Sequence, residues 1–132
     1  RYGIRSSHPE THTSEMPAFG RDELLPQDQM EDLVQYVMAK SGQRADPASA
    51  ARGQPLFETN CASCHGSDLH GDRTKGAPNL TDKDWIYGGD AATIRRTIYG
   101  PRNGVMPAWG ERLDPATVRA LAIYVHSLGG GE

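Results

Sequence analysis

Two cysteines and a histidine stand together at Cys61-Ala62-Ser63-Cys64-His65. This is the spacing of a c-type haem attachment segment. On a short helical turn, residues three apart share one face, so two thiols can each add to a vinyl group on one edge of a porphyrin. The next residue then presents its imidazole to the iron. Two other chemistries use the same letters. A zinc site needs further ligands, commonly a second Cys or His pair, and the chain has only these two cysteines. A thioredoxin-like redox pair belongs in a βαβ setting, for which the sequence shows no pattern.

A methionine sulfur weighs in favour of haem. Met106 lies 45 residues beyond Cys61 in the segment Asn103-Gly104-Val105-Met106-Pro107. Pro107 restricts the backbone before it and helps to present the thioether. A methionine sulfur opposite His65 favours ferrous iron and raises the reduction potential relative to a second histidine. With both axial positions filled by protein, the expected work is electron transfer rather than chemistry on a bound substrate. The bland alternative is a flexible core methionine.

The segment around Met106 has a counterpart. Glu15-Met16-Pro17-Ala18-Phe19-Gly20 recurs as Val105-Met106-Pro107-Ala108-Trp109-Gly110, at an offset of 90 residues. Each copy leads into an amphipathic stretch containing Tyr-Val, at Tyr36-Val37 and Tyr124-Val125, and Tyr2-Gly3 pairs with Tyr99-Gly100. The first copy has no Cys-x-x-Cys-His of its own, so the repeat is incomplete.

The elements that must carry these residues read as helices. Residues 26–40 place Met30, Leu33, Val34, Val37 and Met38 at a helical period and stop at Gly42. Asp46 and Pro47 open a helix toward Asn60, with Pro55 expected to kink or restart it. Asp90 caps a short helix through Ile94 and Ile98 to Tyr99. Asp114-Pro115 opens the last one, with Val118, Leu121, Ala122, Val125 and Leu128 on one face and Gly129 at its end. Residues 66–89 read as loop. No segment alternates like a half-buried strand, and the expected class is all-α. Gly53 and Phe57 are expected to meet Leu121 and Tyr124 where the helices before and after the attachment segment cross.

Other polar residues carry weaker signals. Pro78, in Gly76-Ala77-Pro78-Asn79-Leu80, is placed to offer a carbonyl to the second ring nitrogen of His65, a bond of the kind that orients ligating histidines. Arg95, Arg96 and Arg102 are candidates for haem propionates against the commoner reading of a solvated face. His8, His12, His70 and His126 read as solvated histidines.

Composition agrees without deciding. Seventeen acidic against fourteen basic side chains leave a formal charge of −3, which speaks against nucleic-acid binding. Hydrophobic residues are 36% while glycine reaches 15 and proline 9, so a large apolar cofactor would help such a chain to fill a core. No run approaches the roughly 18 apolar residues of a membrane span. The chain starts at Arg1, shows no signal peptide, and is expected to be a fragment of something longer.

Taken together, several segments resemble the dihaem cytochrome c subunit of cbb-type haem-copper oxidases, the CcoP or FixP family. They are residues 61–66, Gly76-Ala77-Pro78-Asn79-Leu80-Thr81, Asp84-Trp85, Tyr87-Gly88-Gly89 and residues 102–110. Tyr2-Gly3-Ile4-Arg5 and Met16-Pro17-Ala18-Phe19-Gly20 resemble the second half of that family's first haem domain. The resemblance implies a class I cytochrome c fold at 46–132, preceded at 1–45 by the C-terminal half of a second cytochrome c domain. It implies one covalent haem c on this chain, with Cys61 and Cys64 as thioether residues, His65 and Met106 as axial ligands, and Pro78, Leu80 and Arg102 in the pocket. Met16 would ligate the other haem of the full-length subunit.

The implied function is electron transfer, not catalysis by the chain itself. The implied partners are the haem-copper catalytic subunit, a monohaem cytochrome c subunit and a soluble cytochrome c donor. The implied place is the bacterial periplasm, held at the inner membrane by an anchor outside this chain. Three rival readings stay open on the residues: a free monohaem carrier, a haem gas sensor or enzyme with labile Met106, and a module with a Cys61–Cys64 disulfide.

Overall fold

A computed structural model describes residues 1–129. Five α-helices account for its regular structure: α1 (Gln27–Lys40), α2 (Pro47–Asn60), α3 (Ala62–His65), α4 (Ala91–Tyr99) and α5 (Pro115–Ser127), with a single 3-10 turn at Trp109–Glu111. Among the described residues, extended pairing is limited to isolated bridges such as Asp72 with Ala77. The all-α expectation holds.

The helix starts follow from side-chain chemistry. Asp46 accepts from the Ser49 amide (2.8 Å), Asp90 from Thr93 (3.0 Å), and Asp114 from both Ala116 and Thr117. Each carboxylate satisfies amides that the first turn leaves without partners. Pro47 and Pro115 sit just inside their helices, where a missing N–H costs nothing. Pro55 does not restart the helix: α2 runs through it to Asn60. The proline lies on the exposed side of the helix, where its ring is free of packing and a freed carbonyl can meet water.

The chain forms two compact units. The larger, Glu15–Arg102, contains α1 to α4 and most of the buried core. Here α1 packs along α2 and also meets α4. Leu33, Val34 and Phe57 are almost wholly removed from water, with Tyr36, Val37, Ile94 and Ile98 around them. The Tyr36 and Phe57 rings tilt against each other at 5.4 Å. Gly53 lets the two helices touch, since a Cβ there would stand 2.1 Å from the Asp32 carbonyl oxygen and 2.8 Å from the Tyr36 Cβ. Beside this crossing, Arg52 grips Asp32 with two bonds of 2.9 and 2.7 Å, the paired geometry in which Arg and carboxylate bind best.

The expected neighbours of Gly53 and Phe57 were Leu121 and Tyr124. Within the larger unit, Gly53 meets Asp32 and Tyr36, and Phe57 meets Tyr36; Leu121 and Tyr124 belong to the smaller unit and are exposed at 47% and 61%. The physical reason is the repeat. Residues 27–40 carry the same kind of apolar stripe as 115–127, so either helix satisfies the pattern that α2 presents.

The smaller unit joins Arg1–Ser14 to the chain from Asn103 onward. Ile4 and Met106 exchange two backbone bonds, each 3.0 Å, and the Gly110 amide donates to the Arg1 carbonyl at 2.9 Å. Arg5 bonds the carbonyls of Gly104 and Ser14. Among the described residues no helix is long and apolar enough to cross a membrane.

Candidate functional site

The attachment segment is built where α2 ends. Cys61 closes α2 by donating its amide to the Phe57 carbonyl at 2.8 Å, and its own carbonyl accepts from the amides of Cys64 (3.1 Å) and His65 (2.9 Å). This single turn, α3, is what puts Cys61, Cys64 and His65 on one short stretch of helix. Cys61 is partly buried against the core that holds Phe57, while Cys64 is exposed; both are free thiols.

The loop beyond α3 returns to hold the imidazole. Gly71, at φ +82°, donates its amide to the His65 carbonyl at 2.8 Å, and Asp72 and Ala77 bridge across the turn that follows. That turn sets the Pro78 carbonyl oxygen 3.0 Å from His65 Nδ1. A proline carbonyl only accepts, so Nδ1 carries the proton and donates. The lone pair is thereby left on Nε2, the nitrogen available to a metal. Leu80 then donates its amide to the carbonyl of the buried Leu69 at 2.8 Å and rests against the core.

The electrostatics fit a neutral ligand. Burial pushes the His65 imidazole below its ordinary pKa, partly offset by the bond to Pro78, so the ring is uncharged at neutral pH. Burial, with Cys64 nearby, pushes the Cys61 thiol up to about 11. A nucleophilic redox cysteine needs the opposite shift. No group of three or more His, Cys, Asp or Glu side chains that could share a metal ion occurs among the described residues. The donor set therefore fits a haem held by two thioethers and one neutral imidazole.

The remaining predicted residues divide between the two units. Arg102, in the larger, lays its guanidinium 4.0 Å from the centre of the Tyr87 ring. Arg95 pairs with Glu31, and Arg95 and Arg96 line an open cleft of about 460 Å³ with Met30 and Tyr99. That cleft includes none of the attachment residues. Met16 belongs to the larger unit and packs on its core. Met106 belongs to the smaller unit and is 47% exposed. His8 stacks on Tyr2 in the smaller unit, and its imidazole stands 3.7 Å from Glu111.

Sequence reasoning passed over Gly71 and Leu69. The two glycines Gly66 and Gly71 bracketing the turn after His65 were the available signal, because a chain that must double back at once needs residues tolerant of positive φ.

Comparison with known proteins gives a consistent answer. Residues 48–125 match the family described as cytochrome c oxidase, cbb3-type, subunit III. The chain is 52% identical over 132 residues to the cbb3-type cytochrome c oxidase subunit CcoP of Cereibacter sphaeroides, covering 99% of this chain and 46% of that one. It is 48% identical over 133 residues to the FixP subunit of Bradyrhizobium diazoefficiens, covering 100% and 46%. To a CcoP subunit of Rhodobacter capsulatus it is 52% identical over 141 residues, covering 100% and 48%. The chain thus spans about half the length of the curated relatives it matches.

Proposed function

The chain belongs to the cbb3-type cytochrome c oxidase subunit III family, and from that premise we propose that it carries single electrons on one covalently bound haem c. The observation that bears most weight is the pairing of His65 Nδ1 with the Pro78 carbonyl, on the same turn as two free thiols. Cys61 and Cys64 would hold the porphyrin, and His65 would offer Nε2 to the iron. Met106, by its order along the chain, would be the other residue offered to the iron.

When bound, the haem supplies a one-electron ferric–ferrous couple whose potential its axial ligands and burial tune. The protein's own part is positional. The Pro78 carbonyl keeps His65 in one tautomer and one orientation, which also makes the imidazole a stronger donor. Leu69, Leu80 and Phe57 keep the side of the attachment turn that faces the core dry. With both residues serving as ligands, the haem would be suited to electron transfer rather than to chemistry on a bound substrate.

Residues 46–132 then form the complete haem domain, and residues 1–45 the distal loop and last helix of a first one. Cbb3-type oxidase subunits are the partners on this reading: the haem-copper catalytic subunit that receives the electrons and a monohaem cytochrome c subunit. A soluble cytochrome c serves as donor, on the periplasmic side of the membrane.

Spectra of the haem-loaded protein test the proposal. Expected are one haem per chain by pyridine haemochrome, low-spin iron in both oxidation states, and no carbon monoxide binding to the reduced form at neutral pH. A colourless protein, or rapid carbon monoxide binding, would overturn it.

A further inference from the structure

The short turn α3 must find partners for its carbonyls outside itself, because the last residues of a helix close no bonds within it. Ala62 accepts from the Gly66 amide at 2.9 Å, and His65 from the Gly71 amide at 2.8 Å. Ser63, between the two cysteines, is served differently. Its carbonyl accepts from the side chain of Lys75, whose Nζ stands 2.6 Å away. A cation on a carbonyl at a helix end makes a charge-assisted bond and also suits the negative end of the turn.

The loop that carries Lys75 is itself well tied. Asp72 and Ala77 exchange two backbone bonds of 3.0 Å each. Inside that bracket one Asp72 carboxylate oxygen accepts from the Thr74 amide (2.9 Å) and hydroxyl (2.6 Å), and the other stands 3.3 Å from Lys75 Nζ. Pro78 follows Ala77 directly, so the loop that sends Lys75 to Ser63 also delivers the carbonyl that accepts from His65 Nδ1. The loop thus meets α3 through the Gly71 amide, the Lys75 ammonium and the Pro78 carbonyl. The first and last are backbone atoms, while the middle contact depends on one side chain.

Resting on the electron-transfer reading above, we propose that Lys75 is a positioning residue for the haem ligand His65. Through the Ser63 carbonyl it clamps the Pro78 loop onto the attachment turn, and so sets how firmly Nδ1 is bonded. That bond governs how strongly the imidazole donates to a metal, so Lys75 acts on the redox couple through it. Its side chain is 53% exposed, so replacing it leaves the core packing alone.

The test uses the haem-loaded chain and the variants Lys75→Met and Lys75→Arg. Methionine keeps most of the length and removes the donor, whereas arginine keeps a donor and the charge. Proton NMR of the reduced protein follows solvent exchange of the His65 Nδ1 proton. The Cys61 amide, bonded to the Phe57 carbonyl, is the reference for overall stability. In Lys75→Met the Nδ1 proton is expected to exchange severalfold faster while the Cys61 amide holds, and the reduction potential at high salt to rise. High salt is needed because loss of the exposed positive charge would by itself lower the potential, and screening removes that part. Lys75→Arg is expected to restore both readouts. Unchanged Nδ1 exchange, an equal quickening at Cys61, an unchanged potential at high salt, or no rescue by arginine overturns the inference and leaves the electron-transfer reading intact. A haemochrome assay that finds no haem overturns that reading, and this inference with it.

Discussion

His65 and Pro78 are thirteen residues apart in sequence and joined by a bond of 3.0 Å from Nδ1 to the carbonyl oxygen. The turn that makes this possible has little slack. It reverses at Gly71, whose amide is already bonded to the His65 carbonyl. The imidazole is thus held by the backbone on both sides, through its own carbonyl and through its ring.

Gly71→Ala should disturb this arrangement. Gly71 sits at φ +82°, and a Cβ would stand 2.4 Å from the Ala77 carbonyl oxygen. Backbone strain of this kind costs about 1–3 kcal/mol. As the turn shifts, the Pro78 carbonyl withdraws from His65, the imidazole becomes a weaker donor, and ferric iron loses support. The reduction potential should rise, with the attachment yield unchanged. Potentiometry on the purified variant checks it; an unchanged potential would break the link between the turn and the ligand.

Gly53→Ala should separate α1 from α2. The clash would be with the Asp32 carbonyl and the Tyr36 Cβ rather than with a yielding side-chain end. Overpacking of this sort costs about 1–3 kcal/mol or more. Denaturant unfolding of the haem-loaded chain measures it, and a loss under a few tenths would show that the crossing is loose.

Phe57→Ala should be among the most damaging single truncations. The ring is 1% exposed and packs on Tyr36, and its carbonyl also anchors Cys61. Removing a buried phenylalanine costs about 3–5 kcal/mol. Phe57→Leu should recover most of it. Unfolding curves of the two variants side by side decide the matter.

Acid should weaken the helices at their capped ends. Amide and hydroxyl bonds hold Asp90 and Asp114 below the usual carboxylate range, first through the side chains of Thr93 and Thr117. A carboxyl whose pKa is depressed by folding stabilises the native state above its unfolded pKa, and that contribution fades as pH falls through the folded value. Stability should therefore decline below the ordinary carboxylate range. Asp114→Asn should flatten this acid limb while still capping α5, since asparagine accepts the same amide bond without titrating there. Stability measured against pH in the two proteins gives the comparison.

The chemistry was legible in residues 61–65 because attachment needs only local spacing: one turn of helix sets Cys61, Cys64 and His65 together whatever the rest of the chain does. The helix starts at Asp46, Asp90 and Asp114 were legible for the same reason, since a cap is a bond between residues two or three apart. That α2 continues through Pro55 without restarting was not legible, because the packing of α1 along α2 holds the helix together on both sides of it. Met16 and Met106 lie in nearly the same six residues, and residues 27–40 and 115–127 carry similar apolar stripes, so local pattern does not tell the two copies apart. Only the tertiary structure shows what meets Gly53 and Gly20, namely Asp32 and Tyr99, because these contacts join residues distant along the chain.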